Sequence, residues 1–477
     1  MNRTWMRWGA AAVSGLLLAA SRPPVGQWWL AWLALAPLAA AVRRSPDARS
    51  AADLGGLAGF LYAAAGMGWL THTFGVWTPA LWCIFALGPA LWAALLHAAT
   101  ERLDSDGRGL AWALGAGLLW AGVESLRSIL PGLSTSWLAL GFSQAACLPL
   151  LQSAALVGVV GLSAACAASG AALALAAEGR RLPAELALAA LGLAWALGER
   201  RLERPAEGVP ARVAVVQDES YDLERLVKLT DVPGVRDADL VVWPEYQLAV
   251  NEGHEEPYRA LFARRLAGVR GVKVLGAAVI PEDPKAPMQN FSWVLGPSGA
   301  LLGRYDKAHP IPFIERRLRG HSDPRPVMTP LGPLGLQICY DLDFEDGARR
   351  LARRGARLLA VTNLDPVEWG AAQHAQHSQM ALARAVESGL YVARAASSGQ
   401  SQLIDPAGRV TASVPTGASG AAVGEVRLAE GRTPYALFGW WLVPGTLLLL
   451  AAAALDALLG LMRRRAFLAY PPSPATV

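Results

Sequence analysis

One cysteine, Cys339, stands in the polar part of the chain, at the end of the apolar run Leu334-Gly335-Leu336-Gln337-Ile338 and directly before Tyr340-Asp341-Leu342-Asp343. A thiol brought to a strand end, with no disulfide partner in its own region, is a candidate nucleophile. Taken alone it reads first as a small core thiol. Two upstream stretches reverse that reading. In Asp239-Leu240-Val241-Val242-Trp243-Pro244-Glu245 an apolar strand ends at Trp-Pro. Proline does not continue a central strand, so Glu245 projects from the C-terminal sheet edge, where open α/β sheets hold their sites. A carboxylate in apolar surroundings has a raised pKa and serves as a general base, whereas a solvated loop acid does neither. In Gly303-Arg304-Tyr305-Asp306-Lys307-Ala308-His309-Pro310-Ile311-Pro312-Phe313-Ile314-Glu315, Lys307 follows a strand in a segment stiffened by two prolines. An ammonium beside a thiol favours the thiolate and stabilises an oxyanion. Arginine is the default cation here and only Lys228, Lys273, Lys285 and Lys307 are lysines, which argues for a specific role over a surface one.

The elements that must position these three groups are legible as short β runs alternating with helices. Ala211–Gln217, Leu240–Trp243, Val272–Val279, Phe291–Leu295, Leu334–Cys339 and Leu358–Thr362 read as strands. Pro257–Val269, Phe344–Arg354 and Gly370–Ser388 read as helices, and Tyr391–Leu428 as a strand meander turning at Asp405-Pro406-Ala407-Gly408. The alternation predicts an α/β domain around a buried sheet. His374 and His377 lie one helical turn apart without a third ligand at metal spacing, so helix surface or local hydrogen bonding is the expected role and no metal or other cofactor is expected. Arg384 and Glu387, also one turn apart, read as a structural pair beneath the site.

The remainder of the 477-residue chain is different in kind. Its 53% hydrophobic and 17% charged residues are too apolar for a purely soluble protein. Apolar segments lie at 9–21, 26–42, 53–71, 79–99, 109–129, 150–177, 183–198 and 438–462, most near the ~20 residues that cross hydrocarbon. The first also resembles a secretory signal, but another apolar segment follows at once, which favours a retained helix. With the N-terminus inside, inner loops collect Arg3, Arg7, Arg43, Arg44, Arg49, Arg102, Arg108, Arg180 and Arg181, and the tail adds Arg463, Arg464 and Arg465. Outer loops hold only Arg22 and Arg127. This asymmetry sets residues 205–430 outside the cytoplasm. The net charge of +5 is thus topology information, and without a basic stripe it excludes a nucleic-acid partner. Glu124 and Arg127, at the outer end of the fifth segment, read either as an ion pair or as cavity lining. In the outer loop from Pro131 to Gln144, Trp137 and Phe142 suit the headgroup level.

Glu245, Lys307 and Cys339, in that order and each at a strand end, resemble the Glu-Lys-Cys triad of the nitrilase (carbon–nitrogen hydrolase) superfamily, and the whole chain resembles its membrane branch, the apolipoprotein N-acyltransferases. The resemblance extends to the eight-segment layout, the loop from Pro131 to Gln152, Gln373-His374…Met380-Ala381…Arg384-Ala385…Glu387-Ser388-Gly389, Arg394-Ala395-Ala396-Ser397-Ser398-Gly399 and Arg432-Thr433-Pro434-Tyr435. It implies a polytopic bundle of about eight transmembrane helices (1–204), an extracytoplasmic αββα sandwich (205–432) and a last helix with a cytoplasmic tail (433–477). It also implies a multi-pass protein of a bacterial inner membrane. In the reaction it implies, Glu245 takes the thiol proton and Cys339 accepts an acyl chain from a phospholipid. Lys307, with the backbone N–H after Cys339, stabilises the oxyanion, and a diacylglyceryl lipoprotein then accepts the chain on its α-amino group. Glu315 resembles the second glutamate of the superfamily, and Tyr340 and Asp341 support the nucleophile. The chain departs from the family pattern at Thr362-Asn363-Leu364-Asp365-Pro366-Val367-Glu368-Trp369-Gly370, where Thr-Asn-Asp-Ala-Trp-Phe-Gly is usual. Asp341 stands for Glu, and Pro310 and Ile314 for Leu and Gly. A membrane-anchored amidase with the same triad is the alternative enzyme. A transporter or scaffold would need paired broken helices, and no internal repeat is seen.

Overall fold

The computed structural model describes residues 2–104, 107, 109–130, 132–315, 318, 320 and 323–469, with the backbone alone for 2–3 and 464–469. Arg108 and Pro131, and the side chains of Arg3, Arg464 and Arg465, lie outside the described residues. The N-terminal part is helical: α1 (Asn2–Ala20), α2 (Ala36–Arg43), α3 (Ala48–Gly66), α4 (Leu70–Phe74), α5 (Thr78–Leu103), α6 (Leu110–Ile129), α7 (Leu148–Leu151), α8 (Ala154–Ala176) and α9 (Leu182–Leu202).

Among the described residues, four stretches are long and apolar enough to cross a membrane: Leu70–Leu103, Ala154–Ala176, Leu182–Leu202 and Pro434–Arg463. Of the other expected segments, α1, α3 and α6 have 19, 19 and 20 residues, but tryptophan, glycine and charged side chains dilute their hydropathy. The stretch at 26–42 is not one helix. A 3₁₀ turn at Trp28–Trp32 precedes α2, whose first turn contains Pro37, a residue tolerated there but not in a helix interior.

The following domain has the strands β1 (Val209–Gln217), β2 (Leu240–Val242), β3 (Leu248–Asn251), β4 (Val272–Ile280), β5 (Gln289–Leu295), β6 (Leu301–Asp306), β7 (Val327–Thr329), β8 (Gly332–Ile338), β9 (Leu358–Asn363), β10 (Val392–Ala396), β11 (Ser401–Ile404), β12 (Val410–Val414) and β13 (Gly420–Leu428). Helices α10 (Leu223–Thr230), α11 (Pro233–Arg236) and α12 (Glu255–Arg265) precede β4, while α13 (Glu345–Arg353) and α14 (Gly370–Ser388) flank β9. One sheet runs β13-β1-β2-β4-β5-β6, with β3 also on β4, and the other runs β12-β11-β10-β9-β8-β7. The central pairs β1–β2, β2–β4, β8–β9 and β9–β10 are parallel.

Period-two alternation builds the layers. Val213, Val215, Leu240 and Val242 meet Leu336, Ile338, Leu358 and Ala360 between the sheets. Their neighbours Ala214, Val216, Val241 and Trp243 face outward, in one core with Phe262 of α12. On the other side, Leu359 and Val361 share a core with Leu351 of α13 and Ala381 and Ala385 of α14. The buried sheet of the expected α/β domain is two stacked sheets, as the family resemblance implied. The expected meander breaks at its end, because β13 crosses over to pair antiparallel with β1. After α15 (Pro434–Phe438), α16 (Leu442–Ala469) returns along α6, where Ser125 and Thr446 hydroxyls lie 3.0 Å apart.

The aromatic residues of the loop before α7 face the protein interior, where lipid headgroups do not reach. Trp137 and Phe142 are buried, at 6% and 0% exposure, because the chain folds inward as a 3₁₀ turn at Leu140–Ala146 beneath the sandwich. Trp137 packs between Trp69 and His377, at ring-centroid distances of 4.8 and 5.8 Å.

Candidate active site

Three strand ends converge where the sandwich meets the bundle. β2 stops at Val242, and Pro244 turns the chain so that the Glu245 N–H lies 3.4 Å from the Asn363 carbonyl of β9. Gly276 on β4 makes room for that turn, since a Cβ there would collide with the Pro244 carbonyl oxygen and lie 2.6 Å from Glu245 Cα. Lys307 follows β6, and its backbone N–H donates to the Asn290 carbonyl of β5 at 3.0 Å. Cys339 opens a 3₁₀ turn, Cys339–Asp343, with φ of +47°. A non-glycine residue in that region costs roughly 1–2 kcal/mol, so the surroundings must hold it there.

The side chains of Glu245, Lys307 and Cys339 are all almost fully buried. Lys307 Nζ lies 2.8 Å from Glu245 Oε1 and 2.9 Å from Glu315 Oε2. Asn290 Nδ2 donates to Glu245 Oε1 at 2.6 Å, and the Tyr246 hydroxyl donates to Glu315 Oε1 at 2.7 Å. The Cys339 thiol donates to the Leu364 carbonyl at 3.5 Å. Burial raises the Glu245 carboxyl above its ordinary range. Burial works against the Lys307 ammonium, but Glu245 and Glu315 outweigh it and hold its pKa well above the usual lysine value.

Lys307 favours the Cys339 thiolate, as expected, but does not decide its protonation. Burial and then the Glu245 carboxylate push the Cys339 thiol well above its ordinary value, and Lys307 opposes this without prevailing.

Asp341 ties the nucleophile turn to the Lys307 loop. It accepts from the Tyr305 hydroxyl at 2.9 Å, the Ile338 N–H at 3.0 Å and the His309 N–H at 2.8 Å. The Tyr340 hydroxyl donates to the Ser134 carbonyl at 2.8 Å, joining the same turn to the inward-folded loop. Arg384 and Glu387 form the expected buried pair. Arg384 Nε donates to the Leu342 carbonyl at 2.8 Å, and Glu387 Oε1 accepts from Val159 N–H at 2.7 Å. Val159 needs that acceptor because Gly158, at φ of +63°, breaks the α8 ladder.

The two histidines are not on a helix surface; both are buried and locally bonded. His374 Nε2 lies 2.9 Å from the Pro366 carbonyl and His377 Nδ1 lies 2.8 Å from Asp365 Oδ1. Among the described residues no cluster of His, Cys, Asp or Glu fits a metal ion. Glu124 and Arg127 line cavity walls: Glu124 accepts from Trp120 Nε1 at 2.7 Å and Leu140 N–H at 2.9 Å. Asn290, Tyr246 and Asp365 escaped the sequence reading. For Asn290 a signal existed, in the polar Asn290 and Ser292 alternating on one face of an otherwise apolar strand.

Cys339 opens into a cavity of about 270 Å³ walled by Trp69, Leu81, Leu91, Val123, Trp137 and Ile311. A buried thiol, a neighbouring carboxylate and ammonium, and an apolar chamber entering the bundle suit acyl transfer between lipids.

Comparison with known proteins agrees with this geometry. Residues 14–172 match the apolipoprotein N-acyltransferase N-terminal domain, and residues 208–433 match the carbon-nitrogen hydrolase family. The apolipoprotein N-acyltransferase of Geobacter metallireducens is 30% identical across 93% of this chain and 94% of its own length. This chain belongs to the apolipoprotein N-acyltransferases. The enzyme of that name from Azotobacter vinelandii is 32% identical over 97% of this chain and 96% of its own. The Caenorhabditis elegans NitFhit crystal structure overlays 49% of this chain and 64% of that one, with 23% identity and a TM-score of 0.41. N-acylation of lipoproteins is the reaction of the family, on a helical membrane part joined to a nitrilase-like α/β sandwich.

Proposed function

We propose that the chain performs lipoprotein N-acylation by ping-pong thioester chemistry on Cys339. In the first half-reaction Glu245 takes the Sγ proton as sulfur attacks the ester carbonyl of a membrane phospholipid. Lys307 and the Tyr340 backbone N–H stabilise the oxyanion. The C–O bond breaks, the leaving glycerol oxygen takes the proton back from Glu245, and a lysophospholipid departs. In the second, the neutral α-amino group of a diacylglyceryl-cysteine attacks the thioester, Glu245 takes an N–H proton, and the C–S bond breaks to return the thiol. Glu315 orients Lys307, while Asp341 and Tyr340 hold the turn.

The observation that carries the reading is the continuity of the apolar chamber with the thiol beside the buried Glu245–Lys307 pair. Water as acceptor suits neither the chamber nor its position against the bundle. The remaining apolar helices are read as further crossings, about eight in all, with arginine-rich loops inside and the sandwich extracytoplasmic at a bacterial inner membrane.

Intact-mass analysis of the purified protein with phospholipid tests this. The native chain is expected to carry an acyl-sized, hydroxylamine-labile adduct that Cys339→Ala lacks and that a diacylated lipopeptide discharges. A folded native chain that never acquires the adduct would overturn the mechanism.

A further inference from the structure

We propose that the seam between α5 and α6 is a ruler for acyl-chain length, with Gly88, Leu91 and Val123 as its specificity-determining residues; this rests on the acyl-donor reading above. The cavity at Cys339 continues along α5 past Leu81, Phe85, Gly88 and Leu91. Those steps of three and four residues keep to one helix face. Leu126 and Val123 of α6 form the opposite wall. From Leu81 to Leu91 the groove spans about 15 Å at ~1.5 Å per residue. That is close to half of the roughly 30 Å hydrocarbon thickness, the depth that one leaflet's acyl chain fills.

Beyond that depth the seam is shut. Trp92 of α5 and Trp120 of α6 meet edge to face, with centroids 5.4 Å apart, and both are buried. Just above this floor the groove stays open because position 88 has no side chain. A Cβ on Gly88 would lie 2.8 Å from Val123 Cγ1, so any larger residue must occupy the groove or push its wall. The groove is open at its side, where the lining residue Leu87 is 66% exposed, so a chain can enter sideways. A chain reaching the floor buries every methylene. A shorter one forfeits burial worth about fourfold in affinity per methylene, and a longer one must buckle or lift its ester from Cys339.

The test presents the full-length native protein with an equimolar mixture of synthetic phospholipids that differ only in acyl length, and weighs the Cys339 adducts. A single preferred length is expected. Gly88→Leu is expected to lower the share of that adduct by about tenfold or more in favour of shorter chains, and Leu91→Ala to move the preference to longer ones. If Gly88→Leu does not fold, Leu91→Ala decides, since it adds no bulk. Adducts with one unchanged length profile in native protein and variants would overturn the ruler alone. Absence of any adduct on the native protein would overturn the acyl-donor reading itself.

Discussion

Lys307 Nζ and Glu245 Oε1 stand 2.8 Å apart with both side chains almost wholly out of solvent, at 2% and 1% exposure. The Glu245 carboxylate serves the ammonium and burdens the thiol, because its negative charge is among the causes that hold Cys339 protonated. Glu245→Gln is therefore expected to act in two opposite directions. Acyl-enzyme formation falls by about 10²–10⁴-fold with loss of the base. Alkylation of Cys339 by iodoacetamide, followed by peptide mapping at fixed pH, becomes faster because the thiol is easier to ionise. Slower alkylation in the variant would show that the carboxylate is not what suppresses the thiolate.

Removing the ammonium leaves two carboxylates facing each other without solvent. Lys307→Met is expected to destabilise the protein by about 3–5 kcal/mol as well as inactivating it. The double variant Lys307→Met/Glu315→Gln is expected to regain part of that stability and none of the activity. Thermal unfolding of the three proteins measures this, and a double variant no more stable than the single would contradict the charge argument.

Asp341 gathers donors from β6, β8 and the Lys307 loop. Asp341→Ala strands these donors and frees the nucleophile turn from the lysine. A loss of about 10²-fold in acyl transfer is expected, the scale of an ångström-sized misplacement, together with a lower unfolding temperature. Asp341→Asn, which keeps one of the two accepting oxygens, is expected to retain more of both. Turnover and melting of the pair test the assignment.

What was legible in the sequence follows from local physics. The Val213/Val215 against Ala214/Val216 alternation fixed which faces of β1 are buried. The predicted helix Gly370–Ser388 agrees with α14 at both ends, because Gly370 and the C-terminal cap Gly389 have positive φ that other residues resist. Glu245, Lys307 and Cys339 were legible as strand ends. Burial of Trp137, Phe142 and His377 was not, since it depends on a loop folding under a domain far away in sequence. The thiol's protonation was not legible for a similar reason: its first cause is burial and its second the Glu245 carboxylate, and both depend on strand ends that meet only in the fold.

Asp343, the last residue of the nucleophile turn, is buried with Arg384, Thr135, the Ser136 backbone and Asp341 around it, and burial raises its carboxyl to about 8. An unfolded aspartate titrates near 4. Between about pH 4 and 8 the native state therefore keeps a proton the unfolded chain has lost, and this contribution to stability declines as pH rises and is gone above 8. Asp343→Asn is expected to flatten the fall in melting temperature across that window. An unchanged slope would mean that Asp343 is already ionised.

The loop after β9 carries the opposite titration. Asp365 is fully buried, paired with the Arg394 guanidinium, 2.8 Å from His377 Nδ1 and 3.2 Å from Gln373 Nε2. Its neighbour Leu364 supplies the carbonyl that accepts the Cys339 thiol, so the anchor of Asp365 sets the position of that acceptor. Burial disfavours the Asp365 carboxylate, but Arg394 and His377 prevail and hold its pKa far below the ordinary range. A depressed carboxyl stabilises the native state above the unfolded pKa, near 4, and that contribution is lost as pH falls below it. Asp365→Asn leaves the Arg394 cation buried without its counter-charge. It is expected to cost about 3–5 kcal/mol at neutral pH and to lose less than the native protein on further acidification. Melting curves between about pH 7 and pH 3 distinguish this from simple loss of packing. A packing defect would shift the whole curve down in parallel, whereas the carboxylate lock predicts that native and variant curves converge in acid.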